Sequence, residues 1–181
     1  MITVISATDR VGANTHVVAT QIFESLTQKT TETVKFLSLE DLPAQFSGNA
    51  MYGKETIDPK IADLEDEFMV EANKFVFVIP EYNGSFPGIL KLFIDACSIR
   101  DRNRIFKGKK AAVVGVASGR AGNLRGLEHF TGVLNYLGTV VSPNHLPISS
   151  VHTLIDKQTK HLHDAATIKI LDAFSDEVID F

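Results

Sequence analysis

The segment Phe75-Val76-Phe77-Val78-Ile79 is apolar at every position. Neither of its faces can meet water. A strand of this kind is stable inside a parallel sheet that carries helices over both faces. Along the 181-residue chain, short apolar runs alternate with helical stripes in the same way, the pattern of an α/β domain. Ile2–Ser6 reads as a first strand, and Val17, Val18, Ile22, Phe23 and Leu26 follow at helical spacing. Thr33–Leu37 is expected as a second strand, and Ser38–Pro59, with Pro43, Gly48, Gly53 and Pro59, as a long loop. Asp58-Pro59 supplies a helix start, Asp at the N-cap and Pro just inside. That helix carries Ile61, Leu64, Phe68 and Met69 on one face. Ile89, Leu90, Phe93, Ile94 and Cys97 mark a helix over Ile89–Ile99. Lys110–Ala117 reads as the fourth strand, Leu124–Leu137 as a helix, and Thr139–Ser142 as the start of a fifth strand. Lys160–Ile179 reads as a final amphipathic helix.

Five strands and five helices in this order predict a single domain over residues 1–181. Its expected architecture is a doubly wound, five-stranded parallel sheet in the flavodoxin-like order 2-1-3-4-5, with helices on both faces. A chain of this length buries a sizeable core without staples. The 44% hydrophobic and 22% charged composition is that of an ordinary soluble globular protein. A net charge of -4 gives no general attraction to nucleic acid or to an anionic membrane, so neither is an expected partner. Cys97 is the sole cysteine, which excludes an internal disulfide framework and fits a reducing, cytoplasmic setting. The N-terminal Met1–Ser6 has no basic leader region, and no apolar run reaches the roughly 20 residues of a membrane span.

Three of the strands run into polar loops that open onto helices, where doubly wound sheets place their ligands. The first loop, Ser6-Ala7-Thr8-Asp9-Arg10-Val11-Gly12-Ala13-Asn14-Thr15, is rich in hydroxyls and has one arginine. Backbone N–H groups at the following helix start favour an anion, and Arg10 can hold a phosphate bidentately. The alternative is that Asn14 and Thr15 only cap the helix. Neither GxxxxGK[ST] nor GxGxxG is present, which disfavours a nucleoside triphosphate and a Rossmann-bound dinucleotide. The second loop is Pro80-Glu81-Tyr82-Asn83-Gly84-Ser85-Phe86-Pro87-Gly88. Tyr82 offers an aromatic face, Glu81 and Asn83 offer polar groups, and the Asn83 and Gly84 N–H groups can reach ring heteroatoms. The alternative is an ordinary Asn-Gly turn followed by a helix start. The third loop, Ala117-Ser118-Gly119-Arg120-Ala121-Gly122-Asn123-Leu124-Arg125-Gly126, has Ser118 and two glycines, Gly119 and Gly122, that can wrap a ring edge. Arg120 and Arg125 can meet a second anion, though a solvated surface position is the expectation for Arg125.

The run Pro80–Gly88, continued by Leu90-Lys91 and Ile94-Asp95, resembles the most specific motif of the NADPH-dependent FMN reductase family, which includes quinone, chromate and azo-dye reductases. The order and spacing of the other elements resemble that family over nearly the whole chain. The first loop resembles the family's Gly-Ser-x-Arg phosphate loop, with Ala7-Thr8-Asp9-Arg10 and then Ala13-Asn14-Thr15. Ala7 replaces the usual Gly, and Ala13 stands where Ser is common. The resemblance implies FMN as cofactor and NADPH or NADH as electron donor. Hydride would pass to the flavin and on to a quinone, free flavin or similar small-molecule acceptor. It implies Ser6, Thr8, Arg10, Asn14 and Thr15 at the phosphate, and Pro80, Glu81, Tyr82, Asn83 and Gly84 at the ring. Ser118 and Gly119 would lie at the ring's far edge. It also implies a homodimer or homotetramer. Gly122-Asn123-Leu124-Arg125 departs by one Asn from the family's Gly-Gly-x-Arg element.

No catalytic side chain is assigned, because the flavin would carry the chemistry. Two alternatives stand beside the reductase: an electron carrier without nicotinamide turnover, and a scaffold that has lost its flavin. Cys97 lies on an apolar stripe and is expected to act as a small hydrophobe. His161-x-His163 does not place both rings on one helix face, and no metal site is expected. There is no GxSxG elbow. Phe46, Met51 and Tyr52, in the long loop, are candidates for a partner surface.

Overall fold

The computed structural model describes residues 1–43 and 58–181. Five parallel strands form one sheet in the order β2-β1-β3-β4-β5. They are β1 (Ile2–Ser6), β2 (Val34–Ser38), β3 (Lys74–Pro80), β4 (Lys110–Val116) and β5 (Val140–Ile148). Between them run the helices α1 (Asn14–Lys29), α2 (Pro59–Leu64), α3 (Gly88–Ile105) and α4 (Leu124–Leu137), and α5 (Ala165–Asp180) ends the chain. β3 lies at the centre, and its side chains divide between two cores. Phe75, Phe77 and Ile79 pack with Leu90, Phe93 and Ile94 of α3 and with Leu127, Phe130 and Leu134 of α4. Val76 and Val78 pack with Val18, Ile22 and Leu26 of α1 and with Leu171, Phe174 and Val178 of α5. All five residues from Phe75 to Ile79 are completely buried. Each such side chain is worth about 1.5–3 kcal/mol relative to exposure.

Several boundaries differ from the sequence reading. β5 runs through Pro143 and Pro147 to Ile148. It can do so as an edge strand, where a missing N–H faces away from the sheet. A register shift between Ala111 and Val113 absorbs the irregularity. The last helix begins at Ala165, not Lys160. Asp164 is its N-cap and accepts from the Thr167 N–H at 2.8 Å. Upstream, Asp156 holds a turn by accepting from Gln158 and Thr159 N–H groups, and Lys160 takes a positive φ of 58° that no helix permits. α3 extends past Ile99 to Ile105 across a non-helical Asp101. Asp58 does cap α2, accepting from the Lys60 N–H at 2.8 Å, with Pro59 in the first turn. Phe46, Met51 and Tyr52 lie outside the described residues.

The helical run after α2 widens into a π-helical turn, Glu65–Val70. Such a turn leaves backbone groups that α-geometry would pair. The Thr3 hydroxyl donates to Phe68 O at 2.6 Å, and the Lys109 ammonium donates to Met69 O at 2.9 Å and to Val70 O. The turn buries Glu65 completely. Its carboxylate lies 3.3 Å from Arg100 of α3, which also grips Asp66 at 2.6 Å. Burial raises Glu65 from an ordinary 4.5 to about 7, against the opposing pull of Arg100. Cys97, expected as a hydrophobe, is fully buried in the same core, and burial pushes its thiol up.

The Glu65 shift has a consequence for stability. The unfolded chain releases this proton near pH 4.5, and the folded protein holds it to about 7. Across that window stability therefore falls as pH rises, and the effect is complete above it. The size is on the order of 3 kcal/mol. Urea unfolding of wild type and Glu65→Gln between pH 4.5 and 8 should show this decline in wild type and a flatter profile in the variant. Identical profiles would show that Glu65 does not titrate in that window.

Candidate active site

Because the strands are parallel, β1, β3 and β4 end at one edge of the sheet. Ser6 pairs with Val78, and Pro80 pairs with Val116. The first loop residues continue the ladders: Ala7 N–H donates to Val78 O at 2.9 Å, Glu81 N–H to Val116 O at 2.9 Å, and Ala117 N–H to Ile148 O at 3.0 Å. The three polar loops are thus set side by side by the sheet itself.

In the first loop Ala13 is the N-cap of α1, with no side-chain cap and no acidic residue in the first turn. Asn14 and Thr15 are the first helical residues, so they do not cap the helix. The first N–H groups of a helix lack intrahelical partners and, with the helix dipole, attract an anion. Ala13 adds no side chain to compete for them. Thr8, 1% exposed, accepts from the Arg10 N–H at 3.2 Å, and its hydroxyl meets the Tyr82 hydroxyl at 2.9 Å. That bond joins the first loop to the second. Ser6 lies beneath them, fully buried at the strand end, its hydroxyl without a partner among the described residues.

The second loop is a two-residue turn. Tyr82 and Ser85 exchange backbone hydrogen bonds of 2.9 and 3.1 Å. Asn83 and Gly84 between them have φ of 52° and 81°. Two successive positive φ angles are what Asn-Gly tolerates best. The expected Asn-Gly turn is therefore present, and it shapes the loop without excluding a ligand. The Gly84 N–H donates to the Glu81 carboxylate, and Ser85 Oγ lies 3.0 Å from His129 Nδ1 on α4. Phe86 packs edge-on against Phe130 at 5.4 Å.

Two cavities lie along these loops. One, about 300 Å³, is lined by Thr8, Arg10, Asn14 and Thr15 of the first loop, by Pro80, Glu81 and Tyr82 of the second, and by Ser118 of the third. The other, about 290 Å³, is lined by Glu81, Gly84, Gly119, Arg120, Asn123 and Arg125 among others. Glu81 and Ala117 border both. Each is near the lower limit for a small-molecule site, and joined they are well within the usual range of about 300–1,000 Å³. Ser6 and Asn83 line neither. Arg120 and Arg125 are exposed, as expected for Arg125. A cavity of about 680 Å³ lies on the outer side of α1, with His16, Thr20 and Glu24 in its wall. It shares Gly12, Ala13 and Asn14 with the first cavity but includes no residue of the second or third loop. Convergence of the three loops, not volume, therefore marks the candidate site.

Val151 lies outside the three loops, and Asn123, within the third, has no site role assigned from the sequence. Val151, from the turn after β5, reaches the first cavity. Asn123 lines the second while 97% buried, and takes a φ of 66°. The sequence signal for it was an Asn where the family pattern has Gly, since Asn is the side chain most at ease at positive φ after Gly. His161 and His163 are both exposed, and no cluster of three potential metal ligands occurs among the described residues.

The Thr8–Tyr82 bond should be measurable as a coupling between loops. Thr8→Val, Tyr82→Phe and the double variant, compared by urea unfolding, are expected to give a coupling of about 0.5–1.5 kcal/mol. Additive effects would show that the two hydroxyls do not bond in solution.

The chain is similar to several known proteins. A 34% identical NAD(P)H-dependent FMN reductase of Pseudomonas aeruginosa aligns over 129 residues, 68% of this chain and 68% of its own. A 2-hydroxy-1,4-benzoquinone reductase of a Burkholderia species is 32% identical over 83 residues, 46% of this chain and 45% of its own. The fold of FerB, a flavoenzyme NAD(P)H:acceptor oxidoreductase of Paracoccus denitrificans, superposes with a TM-score of 0.78 at 24% identity, covering 99% of this chain and 94% of that one. The sequence model of the NADPH-dependent FMN reductases matches residues 1–153, which span all three loops, so the chain belongs to that family.

Proposed function

We propose that the three strand-end loops hold one FMN and that the chain uses it to oxidise NADPH or NADH and reduce a quinone or similar small acceptor. The observation that carries this reading is the pair of cavities meeting at Glu81 and Ala117, with the uncapped start of α1 at one end. The site fits the cofactor. Arg10, Thr8, Asn14 and Thr15 surround a place for a phosphate, where Ala13 leaves the helix N–H groups to the ligand. Ser6 supports that loop from below. Pro80, Glu81, Tyr82 and Gly84 form the wall for a planar ring, with Asn83 at the outer tip of the turn. Ser118 and Gly119 close the far edge. The departures at Ala7 and Ala13 remove side-chain donors but no backbone ones.

Bound FMN would supply the two-electron chemistry, taking hydride from the nicotinamide and giving it to the acceptor. The protein's part is to bind, orient and exclude water. The Asn83 N–H, in a turn fixed by two positive φ angles, is a dipole that can stabilise charge on a bound ring without reorganising, while the Gly84 N–H is held by Glu81. No side chain is assigned a proton-transfer role. The family places the chain among reductases and sets the electron-carrier and empty-scaffold alternatives aside. The Burkholderia relative's substrate class makes quinones the acceptor to try first. No helix among the described residues is long and apolar enough to cross a membrane. The lone cysteine, buried and unpaired, suits a reducing compartment, and we take the location to be cytoplasmic. We take the assembly to be a homodimer or homotetramer.

Purified protein supplied with FMN should be yellow and should oxidise NADPH or NADH in the presence of a quinone. Protein that stays colourless and takes up no FMN would contradict the reading. Arg10→Ala removes a charge-assisted hydrogen bond and should weaken FMN binding by about 1.5–3 kcal/mol, roughly ten- to a hundred-fold. Unchanged affinity by fluorescence titration would show that Arg10 does not hold the phosphate. Sedimentation at micromolar concentration should give a dimer or tetramer, and a monomer would refute the assembly.

A further inference from the structure

Asn123 stands out because it is polar, buried, and used by nothing in the function so far. It precedes the first residue of α4 in the N-cap place, yet its side chain makes no cap bond. Its amide instead crosses to the sheet. Asn123 Nδ2 donates to Ile79 O at 3.0 Å, a fully buried bond. The acceptor fixes the amide's orientation, since a carbonyl oxygen can only receive a hydrogen. Ile79 is the residue before Pro80, where the ring-binding loop begins, and it pairs with Gly115 of β4.

The space for this side chain is built by two glycines. A Cβ at Gly126 would come within 2.2 Å of Asn123 Oδ1, and one at Gly115 within 3.2 Å of Asn123 Cβ and 2.1 Å of Gly122 O. The backbone of Asn123, at a φ of 66°, turns the third loop into α4, and its carbonyl accepts from the Leu127 N–H at 3.0 Å. One residue thus joins the end of β3, the third loop and the start of α4. Both cavities have walls from these pieces.

We propose that Asn123 is a positioning residue for the flavin ring. Its amide is a strut that sets the spacing between the Pro80–Gly84 loop and the Ala117–Gly122 loop, and so the width of the ring slot. This rests on the reading that FMN occupies the two joined cavities. Where the family pattern has Gly, this chain has an Asn at positive φ, whose side chain makes a hydrogen-bonded tie that Gly cannot make.

Two substitutions test it through binding to the apo-protein, without turnover. Asn123→Gly suits the backbone and removes the tie at every pH. Asn123→Asp keeps the size. Ionised, it has no donor and faces a carbonyl; protonated, its O–H can replace the amide, and burial raises the pH at which it ionises. FMN affinity is titrated at pH 5 and pH 8 and expressed relative to wild type. That ratio removes effects common to both proteins, including those of the FMN phosphate and of the neighbouring Glu81, His129, Arg120 and Arg125. Unfolding midpoints in the same buffers establish that each variant is folded, so that affinity reports on the slot.

The expected result for Asn123→Asp is near-wild-type affinity at pH 5 and at least ten-fold weaker binding at pH 8. Asn123→Gly is expected to bind at least ten-fold more weakly at both. A ratio for Asn123→Asp that does not change with pH, or Asn123→Gly that binds as tightly as wild type, overturns the strut. If Asn123→Asp does not fold, Asn123→Gly decides alone. Wild-type protein that binds no FMN overturns the functional reading instead, and is distinguishable because it fails before any variant is compared.

Discussion

A strand that is apolar on both faces must be covered on both, and β3 is such a strand. Its parallel neighbours cannot be joined to it by tight hairpins, so each connection is a crossover that carries a helix back over the sheet. From β1 the chain steps outward to β2, then returns past β1 to lay down β3, β4 and β5 in turn, which gives the order β2-β1-β3-β4-β5. All strands then end at one edge, and the loops after β1, β3 and β4 become neighbours although 74 residues separate Thr8 from Tyr82. The site is a consequence of burying Phe75–Ile79.

Around that frame, several hydrogen bonds tie separate segments together near the site, although the Ser6 hydroxyl and Asn123 Oδ1 have no partner among the described residues. Thr8 meets Tyr82, Ser85 meets His129, and Asn123 reaches Ile79. Each joins pieces that the sheet places side by side but does not itself hold. On the far side of α3, Arg100 anchors the helix to the π-helical turn through Glu65 and Asp66. That helix begins directly after the second loop, so its seating fixes where the loop emerges.

The elements in which pattern and burial coincide were legible in the sequence. β1, β3, β4 and α4 fall within a residue or so of their expected bounds, because each is a dense apolar run or a strong stripe. The asymmetric parts were harder to read. Pro143 and Pro147 end a strand by local rules, and only the edge position of β5 lets it continue. Lys160–Asp164 shares the polarity of a helix start, but the Asp156 turn holds it out of one. Nothing local announces the π-helical turn, which buries a glutamate on a face that the spacing gave to Phe68 and Met69. In the site, residue types and spacing revealed the three loops. They did not reveal that Ser6 and Asn83 line neither cavity, or that Asn123 lines the second, because those depend on how separate loops pack.

The central claim is that the three loops share one FMN. Amide NMR spectra of the apo-protein, recorded while FMN is added, test it most directly. The account predicts saturable shifts grouped at residues 8–15, 81–84 and 117–123, with the outer face of α1 at His16, Thr20 and Glu24 following only weakly. Shifts confined to one loop, shifts centred on the outer cavity, or no shifts at all would contradict it.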